Sequence, residues 1–173
     1  VGDTGRVEGN GFQAKVLDVQ KPLPELIVTH LKPKAGAIEV GKTYTQKTDS
    51  PQRRLTTRNH TATHLLHWAL GKVLGSHVKQ AGSLVNAELL RFDFTHFQPL
   101  TPEEIKKIED VVNEKIQSAD SVSKEHISHD QATKAGAIAF FGEKYGKEVR
   151  VITVGDYSKE LCGGNHVDNS AEI

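Results

Sequence analysis

Methionine is absent from the 173-residue chain, position 1 included, and cysteine occurs once. The first absence raises the expectation that the sequence is a piece of a longer protein. The second excludes an intrachain disulfide and, with no secretory leader at the N-terminus, points to a reducing, cytoplasmic setting. Neither sign of charge is in excess, because lysine plus arginine and aspartate plus glutamate both number 22. No global positive field advertises a nucleic-acid partner, so any RNA contact must come from a local patch. Long apolar runs are missing as well. None approaches the roughly 18 residues that span a bilayer, and the mean hydropathy is -0.45, so no membrane partner is expected. What remains is 36% hydrophobic residues, enough for a core in one domain or in one domain with a small appendage. The nine histidines are the notable excess, informative only where they share a spacing.

Residues 1–50 are rich in Gly, Pro, Thr and Val, with short apolar stretches at Phe12 to Val19 and Glu25 to His30. These predict short strands joined by turns at Gly9-Asn10-Gly11, Pro22 to Pro24 and Lys34-Ala35-Gly36, a small β subdomain. Near Ser50-Pro51 the period turns helical, and Leu55, His60, Ala62, Leu65, Leu66, Ala69, Leu70, Val73 and Leu74 recur at helical spacing until Gly75. Leu90 to Phe97 alternates like a half-buried strand. Thr101-Pro102-Glu103-Glu104 is a capping box ahead of an apolar stripe, predicting a helix over about 102–119. Ser121 to Ile127 and Glu148 to Val154 read as strands, and Ser128-x-x-Gln131 as the cap of a short helix reaching about Ala137. The predicted class is α+β, with residues 51–173 forming helices on one face of a sheet of mostly non-hairpin strands.

His60 and His64 stand four residues apart on the first predicted helix, so their imidazoles share a face. Far along the chain, Cys162-Gly163-Gly164-Asn165-His166 offers a thiolate and a third imidazole on a flexible, Gly-rich turn. Neither pair is specific alone: helical histidines are commonly surface or core residues, and a lone cysteine is commonly a small buried hydrophobe. Together, His-x3-His and Cys-x3-His in a one-cysteine chain predict a site for one zinc ion held by His60, His64, Cys162 and His166. His67, a turn beyond His64, reads as core or surface first and as a partner behind a ligand second. His30, His77, His96, His126 and His129 have no spacing that converges on a metal.

The stretches Asn59-His60-Thr61-Ala62-Thr63-His64-Leu65-Leu66, Gln80-Ala81-Gly82-Ser83, Leu90-Arg91-Phe92-Asp93-Phe94 and Glu160-Leu161-Cys162-Gly163-Gly164-x-His166 closely resemble, in order and separation, the editing region of bacterial alanyl-tRNA synthetases. Gly2-Asp3-Thr4-Gly5 and the β segment after it look like the small barrel preceding that editing core, so the resemblance covers nearly the whole chain. Free-standing alanyl-tRNA editing proteins share the zinc motif, as does the threonyl-tRNA synthetase editing domain more distantly; Phe141 to Tyr145 looks more like the synthetase. The resemblance implies a small β-barrel over 1–50 and an α/β sandwich editing core over 51–173. It also implies hydrolysis of seryl or glycyl esters on alanine tRNA, with the acceptor end and the rest of the synthetase chain as partners. By position it carries an editing pocket over to Thr63 and Gln80. Without it, Thr63 reads as bonded to the preceding helical turn and Gln80 as fixing its loop.

Two features depart from the family pattern. Asn165 stands where threonine is more usual, and the chain stops at Ile173 before the closing strands expected of such a core. The resemblance also implies that the aminoacylation core is absent, so this chain would not charge tRNA. Arg53, Arg54 and Arg58, with Lys144, Lys147 and Arg150 as a second group, are the candidate phosphate contacts, each also readable as a solvated face. Four protein ligands would close a tetrahedral zinc, whereas catalytic zinc keeps a position open. Three resolutions stand: a loose ligand, His166 or its loop; five-coordination; or zinc that positions substrate while a water held by Thr63 and Gln80 attacks. The competing functions are a structural zinc module that binds tRNA and a Cys162 nucleophile with His166 as base. The second lacks an orienting carboxylate apart from Asp168.

Overall fold

Asn10 and Gly11 both take left-handed backbone, φ 48° and 75°, as a two-residue hairpin turn requires, and the first sheet grows from that turn. The structure, a computed structural model, describes residues 2–23, 26–139 and 146–173. It comprises two units, Val1–Thr56 and Thr57–Ile173. In the first, β1 (Gly5–Gly9), β2 (Phe12–Leu23), β3 (Leu26–Ala35) and β4 (Thr45–Thr48) form an antiparallel sheet of order β3-β2-β1-β4. Phe12, Ala14 and Val16 alternate on one face of β2 and bury themselves with Val7, the period-two pattern of a one-sided sheet. β1 and β4 carry weak apolar alternation and were not foreseen as strands. Among the described residues no ladder joins β3 to β4, so the unit is described as a four-stranded sheet rather than as the expected closed barrel. Pro22 still belongs to β2, and the turn expected to run on to Pro24 reaches residues outside the described ones.

The division between the units falls inside α1 (Ser50–Leu74). This helix ends where Gly75 turns to φ 115° and its N–H bonds to the Gly71 carbonyl at 3.0 Å, a backbone only glycine adopts without strain. Beyond it come the hairpin of β5 (Gln80–Val85) and β6 (Leu90–Phe94), α2 (Pro102–Gln117), β7 (Val122–Ser128), α3 (His129–Lys134), β8 (Glu148–Val154) and β9 (Ser158–Leu161). Both predicted capping boxes are formed, at Thr101 and at Ser128. The strands build two sheets, β5-β6 and β7-β8-β9. This corrects two sequence expectations: there are two sheets among the described residues rather than one, and β5-β6 and β8-β9 pair as consecutive antiparallel strands. β5 was missed because Gln-Ala-Gly-Ser offers no apolar alternation. β9 was missed because Glu160, a charged residue, points inward.

β8 is the middle of its sheet and is buried on both faces. Val149 and Val151 pack with Ala132 and Leu161, while Ile152 and Val154 pack with Leu65, Val122 and Val167. Below α1, Ala69 and Leu70 meet Val78 and Ile108, with Phe92 and Phe94 against them. The site follows from this packing. α1 lies with Leu65 against the β8 side chains, and the ladder of β9 continues one step further as the Cys162 N–H bonds to the Arg150 carbonyl at 3.0 Å. Cys162 is thereby pinned at the end of a strand whose sheet faces the helix.

Candidate metal centre

The inward face of α1 is unusually polar: Thr61, Thr63, His64 and His67 are buried among Leu65, Ala69 and Leu70. Helix burial normally selects apolar side chains, so this face departs from the packing rule where chemistry is expected. His60 and His64 project from successive turns with ring centroids 5.5 Å apart. The His166 ring lies 4.3 Å from that of His60 and 4.6 Å from that of His64. Cys162 Sγ is 3.4 Å from His60 Nε2 and 3.3 Å from His166 Nε2. One donor atom from each of the four residues falls within 4.8 Å of all the others, an arrangement that could hold a metal ion. Tetrahedral Zn–S and Zn–N bonds would set such edges at about 3.4 to 3.6 Å, so the sulfur-to-nitrogen distances fit. All four residues singled out from spacing are brought together.

The loop reaches the helix because Gly164 has no side chain. A Cβ there would stand 2.0 Å from His60 Cε1. The requirement is space, and the Gly164 N–H in turn points to Cys162 Sγ at 3.4 Å. Arg150 donates to the Gly164 carbonyl, fastening the same loop from β8.

Behind the donors stands a layer that spacing did not reveal. Glu160 is 2% exposed and bridges two histidines: its Oε1 is 2.8 Å from His67 Nδ1, and its Oε2 is 3.0 Å from His64 Nδ1 without the alignment of a full hydrogen bond. His67 therefore touches the carboxylate behind a candidate ligand while packing on Phe92. Thr61 Oγ1 lies 3.1 Å from His166 Nδ1. Thr61 went unnoticed because a helical threonine beside a histidine carries no signal of its own. Glu160 went unnoticed because its partners lie 93 and more residues away in sequence.

Burial and mutual contact set the protonation states. Burial alone would raise the Cys162 thiol, but contacts with His166, His60 and His64 hold it down to about 3. Burial would likewise lower His64, yet Cys162 and Glu160 raise it to about 9. His166 is pushed down to about 4 by burial, against the pull of Cys162. Glu160, despite its burial, is held at about 2 by His64 and His67. At neutral pH the cluster thus offers a thiolate and a neutral imidazole, the forms a metal binds, and His64 must release a proton to join them.

A cavity of about 280 Å³ opens over the cluster and is lined by His60, His64 and Cys162 together with Thr63 and Gln80. Thr63 Oγ1 donates to the Asn59 carbonyl at 2.8 Å, as the unassisted sequence reading held, yet the residue also borders the cavity. A larger cavity of about 950 Å³ shares Gln80 and Glu160 but contains none of the four donors, so the chemistry points to the smaller one. Several of the candidate RNA contacts already have partners within the chain. Arg53 pairs with Asp3 at 2.6 Å, Arg58 Nε donates to the Ile173 carbonyl at 3.0 Å, and Arg150 holds the cysteine loop. Arg54 and Lys147 are exposed. Lys144, like the rest of Phe141 to Tyr145, lies outside the described residues.

Residues 149–173, which carry all of β8 but its first residue together with β9 and the cysteine loop, match the family described as threonyl and alanyl tRNA synthetase second additional domain. Similarity to individual proteins extends over the whole chain. It is 51% identical over 173 residues to the alanine-tRNA ligase of Carboxydothermus hydrogenoformans, covering 100% of this chain and 20% of that protein. For the alanine-tRNA ligase of Bdellovibrio bacteriovorus the figures are 49% over 172 residues, 99% and 19%, and for that of Streptococcus suis 50% over 177 residues, 98% and 20%. The chain is thus similar, over its whole length, to a segment of alanine-tRNA ligases and spans about one fifth of the length of the relatives it matches. No described helix is long and apolar enough to cross a membrane.

Proposed function

We propose that this chain is the editing segment of an alanine-tRNA ligase, acting in the cytoplasm to hydrolyse the ester of seryl or glycyl groups misattached to tRNA(Ala), with one zinc ion held by His60, His64, Cys162 and His166. The observation that carries the reading is the convergence of these four donors on one another, with His60, His64 and Cys162 lining the cavity that Thr63 and Gln80 border. At about 280 Å³ the space lies near the small end of ligand pockets and suits an aminoacyl ester. The need for such a site is physical: a pocket built for alanine rejects glycine by only about 1 to 3 kcal/mol, the worth of a methyl group.

Zinc bound there would supply Lewis-acid polarisation of the ester carbonyl and would lower the pKa of a coordinated water from 15.7 to about 7. The chain's own groups bind and orient. Thr63 spends its hydroxyl hydrogen on the Asn59 carbonyl, so it presents only lone pairs to the cavity and accepts from the seryl hydroxyl or the α-ammonium group. Gln80 brings both a donor and an acceptor to the same space and can hold the attacking water against the ester. The departing oxygen is the terminal ribose hydroxyl of the tRNA.

The four-donor count favours a second reading, a zinc module that grips the acceptor end without hydrolysis. Sequence reasoning named His166 or its loop as the loose ligand; the contact of its second ring nitrogen with Thr61 supports a firmly held His166 instead. His60 is the half-buried donor whose other ring nitrogen has no partner among the described residues, so any opening of the site falls to it. Incubating the zinc-loaded chain with seryl-, glycyl- and alanyl-tRNA(Ala) separates the readings. Release of serine and glycine with alanine retained is expected; no release above buffer, with one zinc bound, contradicts hydrolysis.

A further inference from the structure

Of the four donors, His166 is the one whose orientation its own backbone does least to fix, since it follows Gly163-Gly164-Asn165 in a loop. What holds it is Thr61, a residue with no exposed surface. The Thr61 hydroxyl has three neighbours: the Thr57 carbonyl at 3.1 Å, the Val167 N–H at 3.2 Å and His166 Nδ1 at 3.1 Å. A hydroxyl has one hydrogen to give and two lone pairs to accept with. The Thr57 carbonyl can only accept, so it takes the hydrogen. The Val167 amide can only donate, so it fills one lone pair. The remaining lone pair can only be met by a hydrogen on His166 Nδ1. With an ion in place of the hydrogen bond that otherwise links His166 Nε2 to the Cys162 thiolate, 3.3 Å away, Nε2 is then left with its lone pair for that ion.

We propose that Thr61 is the positioning residue of the metal centre: its hydroxyl selects the His166 tautomer whose Nε2 can bind the ion, and its grip on Val167 registers the cysteine loop against the helix that carries His60 and His64. Residues behind metal-binding histidines set tautomer and ring orientation in this way, and their loss costs metal affinity without removing a ligand. The inference rests on the metal reading of the cluster, though not on the identity of the ester.

Thr61→Val keeps the shape and removes the hydroxyl, while Thr61→Ser keeps the hydroxyl and removes a methyl group. Zinc affinity of the chain, measured by competition with a chelating indicator, should fall about 10- to 100-fold in Thr61→Val and stay within about 3-fold of the unsubstituted chain in Thr61→Ser. Equal affinity in all three proteins overturns the inference, as does an equal loss in both variants, which would reduce Thr61 to packing. A long-range nitrogen–proton spectrum of the unsubstituted chain needs no variant and covers the case in which Thr61→Val does not fold. His166 should carry its hydrogen on Nδ1, and a hydrogen on Nε2 overturns the inference. An unsubstituted chain that binds no zinc overturns the metal reading and this inference with it, whereas zinc binding unaffected by Thr61→Val overturns this inference alone.

Discussion

Thr63 and Glu160 show how much of the proposed chemistry depends on what a single side chain has already spent. With its hydrogen committed to Asn59, Thr63 would, in the proposed reaction, distinguish a substrate hydroxyl by accepting from it. Thr63→Val should therefore slow hydrolysis of seryl-tRNA(Ala) about 10-fold, the worth of one hydrogen bond, while leaving glycyl-tRNA(Ala) nearly unaffected; parallel single-turnover rates on the two substrates check this, and an equal loss on both argues against a selective contact. Glu160 accepts from His67 and braces His64. Glu160→Gln keeps the shape but replaces one acceptor oxygen with a donor, and zinc affinity should fall about 10- to 100-fold by indicator competition, an unchanged affinity removing Glu160 from the metal layer. The four donors were legible in the sequence because helical spacing pairs His60 with His64 and because only one cysteine was available. Glu160 and Thr61 were not, since their roles arise from contacts made across the fold rather than from spacing.

The helix α1 and the loop after β9 meet in a fit that leaves no room for a methyl group at Gly164. Gly164→Ala should drive the His60 ring out of the cluster. Its expected signature is weakened zinc binding and, in the cobalt-loaded protein, an altered ligand-field spectrum with the thiolate charge-transfer band retained; an unchanged spectrum would show that the loop yields instead. At this scale the sequence read well where local rules govern. α1 was announced by its period and by Gly75, and α2 and α3 by capping boxes that the structure forms at Thr101 and Ser128. It read poorly where pairing governs. β5 and β9 are strands because β6 and β8 bond to them, and neither Gln80-Ala81-Gly82-Ser83 nor Ser158-Lys159-Glu160-Leu161 alternates as an isolated strand would.

Across the whole molecule, a β unit and an α+β unit are joined through α1, and only the second contains the donor cluster. The change from strand-like to helical period near Ser50 was visible in the sequence, but the barrel expectation came from resemblance and is not reproduced by the described pairings. The chain covers about one fifth of its alanine-tRNA ligase relatives, and the activity proposed for it is hydrolysis at its own donor cluster. The most direct test is the rate of seryl-tRNA(Ala) hydrolysis as zinc is returned to the chelated chain in steps. The rate should climb in proportion to bound zinc and level off at one equivalent; a rate indifferent to zinc content would contradict a catalytic metal centre at His60, His64, Cys162 and His166.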